Sequence, residues 1–300
     1  MSDASGPAIP ITPREKLDFD LDRGIARYWC AGDPFKTRFF DALSVQFPEG
    51  ERFFITSVRE FRDGVQDPQL KADIAAFIRQ EGQHGMVHDR YNALLAAQGV
   101  RVDRIEATQR RIYEWLRRWC SARFNLALTA ASEHMTAIMA HSFFERQSVF
   151  AGADQRIRAL YAWHAMEEVE HKAVAFDVMR RVARCGYVLR IAAMIVNTVS
   201  FPIDTFLIMH HMFRVDGLPL GQRLRLWLRG LWWLYKPGGV FMPVLGHYLR
   251  YYRPGFHPQQ AGNTRVYDIW TGDFAQHRDP VHAGNTVFAS ARNDTPPRYQ

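Results

Sequence analysis

The sequence predicts an all-α protein, built around a bundle of four long helices with additional helices on the C-terminal side. Apolar residues recur at spacings of three and four along most of the chain, with little of the alternation that strands need. Proline stands where helices would begin, and glycine stands where they would end. Two of the long periodic segments also carry the same motif, Glu-x-x-His, whose two partners lie on one helical face.

Composition restricts the class of protein. The 300 residues are 47% hydrophobic and 23% charged, as in an ordinary globular domain. The three cysteines are widely spaced and form neither a disulfide framework nor a zinc pattern, so we expect a reducing, cytoplasmic setting. The N-terminus lacks the build of a signal peptide, and the chain has no glycine-rich phosphate loop or serine-nucleophile motif.

The helices can be placed in order along the chain. Asp33-Pro34 begins a first helix, and Phe47-Pro48 begins another that runs to about Gly64. Residues 1–20 are expected to be disordered, and residues 279–300 to form a flexible tail. The predicted long helices are 49–64, 69–98, 120–148 and 154–184, with a shorter helix at 104–118, and together they give a bundle domain at 33–186.

The segment 187–260 is predicted to be an apolar and basic extension packed on the bundle, with helices at 218–236 and 240–252. Its longest uncharged run, 191–203, has thirteen residues, which is fewer than the roughly 20 of a spanning helix. Between positions 205 and 260, seven Lys and Arg stand against one acid, among several Trp and Tyr. This pattern is typical either of a helical cap with solvated arginines or of an element at a membrane surface. The interleaved bulky apolar residues do not favour nucleic-acid binding.

The chemistry is carried by Glu81-x-x-His84 and Glu168-x-x-His171. In bundles that bind two metal ions, two helices each provide such a motif and the other two each provide a glutamate. Glu51 lies 30 residues before Glu81, and Glu133 lies 35 residues before Glu168, so each pair would be level on antiparallel neighbours. The four glutamates fall on apolar stripes, where burying carboxylates without cations would be costly. The sequence therefore predicts a site for two metal ions, with iron expected and manganese as the alternative.

The set formed by these six residues resembles the ferritin-like di-iron carboxylate proteins. His164, four residues before Glu168, resembles the additional histidine ligand of the p-aminobenzoate N-oxygenase type of di-iron enzyme. The resemblance implies that Glu81 and Glu168 bridge the ions, that Glu51 and His84 complete one ion, and that Glu133, His171 and His164 complete the other. The alternative for His164 is a hydrogen-bond donor outside the ligand set.

Three more residues are expected to support the ligands from outside. Glu167 and Gln80 each directly precede a motif glutamate, and His88 lies one turn beyond His84. Glu167 is placed to hold the free nitrogen of a ligand histidine such as His84, which would fix its tautomer. His88 is either a similar partner or an alternative ligand.

A second resemblance covers about 35–260 of the chain. The runs at 47–54, 80–84, 91–92, 167–171 and 253–258 resemble a bacterial family catalogued as predicted metal-dependent hydrolases. This resemblance implies metal binding and leaves the hydrolytic reaction unspecified.

Three functions follow as hypotheses. The leading one is a di-iron oxygenase that hydroxylates, desaturates or N-oxygenates an organic substrate and draws on an electron donor. The first alternative is a two-metal hydrolase of an ester or amide, and the second is a non-catalytic metal-binding or ferroxidase-like bundle. The apolar, Trp-rich segment 187–252 indicates a hydrophobic small-molecule substrate and contact with a membrane surface, so a cytoplasmic protein peripheral to the membrane is expected; a homodimer is compatible with this.

Overall fold

The computed structural model describes residues 9–145, 149–260 and 265–292, and within these ranges the regular structure is helical, without a strand. This confirms the all-α prediction. Eleven helices follow one another along the described residues: α1 Pro34–Arg59, α2 Pro68–Ala97, α3 Val102–Trp119, α4 Ala122–Glu145, α5 Gln155–His171, α6 Val174–Asp177, α7 Tyr187–Val215, α8 Leu220–Tyr235, α9 Leu245–Arg250, α10 Arg265–His277 and α11 Pro280–Arg292. Aspartates cap three of the long helices: the Asp33, Asp67 and Asp154 side chains each accept a hydrogen bond from a backbone N–H of the first turn.

Helices α1, α2, α4 and α5 pack as neighbours in an arrangement compatible with a ferritin-like bundle. Their long-range contacts run antiparallel. Along α2 and α5, for example, His88 contacts His164, whereas His84, four residues earlier, contacts Glu167 further along α5. Helix α3 links the two hairpins and packs against α1, as expected for a crossover.

Helix α1 is continuous through Pro48, so the predicted helix start at Phe47-Pro48 is wrong. A proline inside a helix leaves the carbonyl four residues earlier without its usual N–H donor. That carbonyl belongs to Ser44, and the Asn92 side chain of α2 donates to it at 3.1 Å. The neighbouring helix thus supplies the missing hydrogen bond, which the local sequence could not indicate.

The predicted single helix at 154–184 is interrupted after His171. Helix α5 ends there, and α6 and a π-type turn at Val178–Val182 follow. Val174, Phe176 and Val178 remain buried through the interruption. Because the apolar spacing continues across the break, the periodicity of the sequence conceals it.

Two terminal segments predicted to be disordered or flexible are partly ordered. Residues 9–20 lie against the bundle, where Leu17 and Phe19 are buried and the Phe19 ring contacts Trp163; residues 1–8 lie outside the described ranges. At the other end, α11 packs along α5, with Ala283, Val287 and Phe288 buried. Both segments carry apolar residues that gain burial only against the finished bundle. Residues 293–300 of the predicted tail lie outside the described ranges.

The observed length of α7 contradicts the expectation that this apolar segment is too short to cross a membrane. Helix α7 has 29 residues and passes through Pro202, so by length and composition it could cross a membrane, and no other helix of the described residues meets that test. Its inner side packs on α1 and α4. The division between a bundle at 33–186 and an extension at 187–260 stays a prediction.

Candidate metal centre

The seven residues predicted as metal ligands meet at one place inside the bundle. Helix α1 provides Glu51, α2 provides one motif, α4 provides Glu133, and α5 provides the other motif together with His164. All seven side chains are buried, with exposed fractions of 5% or less. The four helices therefore bring the predicted residues together in the core rather than on the surface.

Their donor atoms form two adjacent groups. One group contains Glu51, His84 and His164, and the other contains Glu81, Glu168 and His171, with the ligand-type atoms of each group within 4.8 Å of one another. Glu133 adjoins the second group, because its Oε2 lies 3.2 Å from His171 Nε2.

His164 lies beside a different residue from the one expected. The resemblance placed it with Glu133 and His171, but its ring stacks on His84, with centroids 4.1 Å apart. His164 stands seven positions before His171, which corresponds to about 10 Å along a helix axis. The antiparallel course of α2 brings His84 level with the N-terminal half of that interval, so His164 belongs with the Glu51 group.

Two glutamates of the second group also approach His84 of the first, as expected of bridging positions. Glu81 Oε1 is 3.2 Å from His171 Nε2, and Glu81 Oε2 is 4.0 Å from His84 Nδ1. Glu168 Oε1 is 3.5 Å from His171 Nε2 and 3.8 Å from His84 Nδ1. Either carboxylate could thus contact both of two neighbouring ions.

Most of the atoms that face this centre lack hydrogen bonds from the described residues, Glu168 and His164 being the exceptions. Both carboxylate oxygens of Glu51, Glu81 and Glu133 are buried without a hydrogen-bond partner, as are His84 Nδ1 and His171 Nε2. Polar atoms buried in this way are costly unless something pairs with them. Carboxylates and imidazoles converging in a helical bundle fit a pair of metal ions, so the donor set passes this test.

Each of the three histidines is held on the side away from the centre. His84 Nε2 lies 3.1 Å from Glu167 Oε2, and His171 Nδ1 lies 3.0 Å from Gln80 Oε1. His164 Nδ1 lies 2.8 Å from His88 Nε2. All three residues that the sequence suggested as outer partners therefore contact one histidine each, which is the arrangement that orients metal-bound imidazoles.

A further layer of this network was not anticipated. Glu170 accepts hydrogen bonds from the side chains of Gln80, Arg14 and Tyr267. Arg14 also donates to Glu167, at 3.1 Å. Glu170 could have been suspected, since it shares a face with Glu167 three residues earlier. Arg14 and Tyr267 carry no local signal, because they lie in an irregular segment and in an unpredicted helix.

The electrostatics of the centre follow from burial and crowding. Burial, with the nearby Glu168 charge, raises the pKa of Glu51 well above its usual range. Burial raises the pKa of Glu133 and of Glu167 to about 7, against the opposing pull of His171 and Arg14 respectively. Burial also works against ionisation of Glu168, but His171 and His164 outweigh it and hold that pKa well below normal.

The pKa values of the two motif histidines are also shifted in opposite directions. Burial and the neighbouring His164 lower the pKa of His84 well below its usual value. Burial opposes the charged form of His171 too, but Glu133 and Glu168 raise its pKa well above normal. The two carboxylates thus favour the protonated form of His171, and metal ions bound here would supply that positive charge instead.

A cavity of about 720 Å³ leads from this centre toward the surface between α1, α3, α4 and α7. Three residues of the centre, Glu51, His164 and Glu168, lie on its wall. The remaining wall is largely apolar, with Phe47, Leu116 and Leu128 among its residues. One side of the centre is therefore accessible to an apolar molecule.

Comparison with known proteins supports part of the interpretation. The curated proteins and the solved structures that were searched gave no match. The model of one protein family, described as predicted metal-dependent hydrolase, matches residues 13–262, a span that includes every residue of the centre. The resemblance to di-iron oxygenases is not confirmed by these findings. Since the match covers most of the chain, the protein belongs to the predicted metal-dependent hydrolase family.

Proposed function

We propose that the protein is a two-metal hydrolase that cleaves an ester or amide of an apolar molecule. The observation that carries this proposal is the buried carboxylate and histidine cluster at the inner end of a mainly apolar cavity. Membership of the family supports the hydrolytic reaction. Iron is the expected metal and manganese the alternative, because the donor set is rich in carboxylates.

The two proposed metal positions differ in access. Glu51, His84 and His164 would hold the ion next to the cavity, since two of these residues lie on the cavity wall. Glu81, Glu133 and His171 are absent from that wall and would hold the deeper ion. Two bound ions can lower the pKa of a water molecule and stabilise an oxyanion. The substrate carbonyl would therefore approach from the Glu51 side.

The chain itself positions the groups at the end of the cavity. Thr136, on the cavity wall, donates a hydrogen bond to Glu168 Oε2, while Glu168 Oε1 lies 3.1 Å from His164 Nε2. Glu168 is thus restrained on both oxygens. Apolar side chains such as Phe47, which packs on the His164 ring at 4.7 Å, limit access of bulk water.

Metal-reconstituted hydrolysis tests the proposal. Chelator-treated protein would be loaded with Fe²⁺ without air, or with Mn²⁺ or Zn²⁺, and assayed on acyl esters and anilides of increasing chain length. We expect metal-dependent cleavage that improves with chain length. Glu51→Gln should lower the rate of hydrolysis by more than the roughly 10–100-fold typical of an outer partner, whereas Glu60→Gln, at an exposed residue directly after the same helix, should not.

An oxygen-activating di-iron enzyme is the second candidate, favoured by one observation. Four carboxylates and three imidazoles form a donor set that suits iron in helical bundles. Oxygen consumption by the Fe²⁺-loaded protein, with a reductant and an apolar substrate but no anaerobic hydrolysis, would favour this candidate. Stoichiometric metal binding with neither activity would indicate a metal-binding or ferroxidase-like bundle.

A further inference from the structure

The mouth of the cavity lies in an exposed apolar surface. On α7, Ile195, Val199, Ile203 and Leu207 line the cavity and are nevertheless 52–64% exposed. Ile112 of α3 lines the opposite side and is 48% exposed. The outer wall of the cavity is thus formed by apolar side chains that also face the surroundings, which is unusual for the surface of a monomer.

The exposed side of α7 is apolar over most of its length. Val188, Ala192, Ile195, Val199, Ile203 and Leu207 recur at spacings of three and four and are all exposed. On the opposite side, Met194 and Met209 are fully buried, as is the charged Arg190. Since its inner side packs on protein, α7 can present one face to an apolar medium but cannot be surrounded by it.

Helix α8 adds a second exposed stripe with basic neighbours. Leu220, Leu224, Leu228 and Trp232 are 60–73% exposed. Arg225 and Arg229 each follow one of these leucines and are exposed too. Trp227 of α8 packs on Phe206 and Phe213, which places α8 beside α7. The two stripes therefore belong to neighbouring helices.

The charge of this region is positive and not neutralised. Between positions 205 and 260, seven basic residues stand against Asp216 as the sole acid. Asp216 is already engaged by the buried Arg38, with Nη2 and Oδ1 2.6 Å apart. Within the part of the chain that the structure describes, Arg225 and Arg229 take part in no ion pair. An apolar surface bordered by free arginines complements negatively charged headgroups above hydrocarbon.

We infer that the exposed stripes of α7 and α8, with Ile112, Trp115 and Trp119 of α3, bind the surface of an anionic lipid bilayer, so that an acyl chain enters the cavity directly from the lipid. The proposed hydrolase would then act on a lipid-like ester or amide, and this part of the inference rests on the proposed function. A second copy of the chain is a poorer occupant, because it would present the same positive charges.

Vesicle binding tests the inference without metal or turnover. The full chain would be centrifuged through a density gradient with vesicles of phosphatidylcholine alone or with one-third phosphatidylglycerol. We expect flotation with the anionic vesicles, weakened by salt, and a blue shift of tryptophan emission from exposed Trp115, Trp119 and Trp232. Glu81→Gln, which alters the metal centre, should bind as the natural sequence does, so failure of the proposed function would not affect this result.

Substitutions at two equally exposed positions provide a matched comparison of vesicle binding. Ile203 on the inferred lipid surface and Met86 on α2 are both 53% exposed. Ile203→Glu should reduce vesicle binding at least tenfold, and Met86→Glu should leave it unchanged. Arg225→Gln with Arg229→Gln should reduce binding to anionic vesicles roughly tenfold while sparing neutral ones.

Three outcomes would overturn the inference. The first is no flotation with either vesicle, and the second is equal loss in the Ile203 and Met86 variants. The third is a stable dimer that Ile203→Glu converts to monomer without any vesicle binding, which would make this surface an interface between copies of the chain.

Discussion

The two motif histidines present opposite ring nitrogens to the centre. His84 directs Nδ1 toward the carboxylates and is held at Nε2, whereas His171 directs Nε2 toward them and is held at Nδ1. Helices α2 and α5 approach the centre from different sides, so the same motif presents a different histidine nitrogen on each helix. Each tautomer depends on the outer partner, Glu167 or Gln80, rather than on the motif itself.

Gly85 offers a test at the residue scale. A Cβ at this position would lie 3.3 Å from Glu51 Oε2, whereas a Cβ at Gly82 on the same helix would contact nothing within 4 Å. Alanine favours a helix over glycine by about 1 kcal/mol. We therefore expect Gly85→Ala to keep or raise thermal stability but to lower metal affinity several-fold, measured by titration of the metal-free protein. Gly82→Ala should gain stability alone; equal metal affinity in both variants would argue against Glu51 as a ligand.

At the scale of elements, the N-terminal segment contributes an arginine to the hydrogen-bond network around the centre. Arg14 bridges Glu167 and Glu170 and is itself only 9% exposed, so two buried carboxylates share one cation. Arg23 follows shortly after this segment, and its ion pair with Asp20 is largely exposed. The two arginines allow a comparison between a buried and a surface charge in one stretch of chain.

Removing the buried arginine should be costly. Arg14→Met leaves two carboxylates uncompensated, and we expect a loss of about 3 kcal/mol in the free energy of unfolding, measured by denaturant titration. Arg23→Met should change it by less than about 0.5 kcal/mol. Loss of the Arg14 charge should also raise the pKa of Glu167 further and weaken metal binding through His84. Equal stability of the two variants would contradict this role for the N-terminal segment.

The docking of α11 depends on a small residue. A Cβ at Gly284 would lie 2.6 Å from the backbone Cα of Ala159 in α5, whereas Gly272 in α10 has open space around it. Gly284→Ala should therefore force α11 away from α5 and destabilise the protein by about 1–3 kcal/mol. Gly272→Ala should be neutral or stabilising. Thermal melts of both variants measure this, and an unchanged Gly284 variant would mean that α11 is not closely docked.

At the scale of the whole molecule, the metal centre joins helices from both hairpins of the bundle. A metal ion that binds only the folded chain stabilises it by about 2.7 kcal/mol when its concentration is 100 times Kd. We expect Mn²⁺ or anaerobic Fe²⁺ to raise the melting temperature by several degrees over chelator-treated protein. Glu81→Gln should remove most of that gain, and Glu60→Gln should retain it. Identical melting with and without chelator would contradict the dimetal centre.

Local patterns account for much of the candidate site. Glu81 and His84, or Glu168 and His171, share a face because of helical geometry alone, and helix length brings Glu51 and Glu133 level with them. The outer partners Glu167, Gln80 and His88 could be suggested for the same reason. Helix continuity was less predictable, because Pro48 relies on Asn92 from another helix.

The sequence by itself determined the helical class, the four helices of the bundle and the residues that converge in its core, because helical periodicity acts over a few residues. Only the tertiary structure decided that His164 lies with His84, that Arg14 and Tyr267 complete the outer network, and that α11 docks on α5. These contacts join residues 80 or more positions apart, and periodicity carries no information about such distances. The apolar mouth of the cavity arises in the same way, from α3 and α7 meeting across the centre.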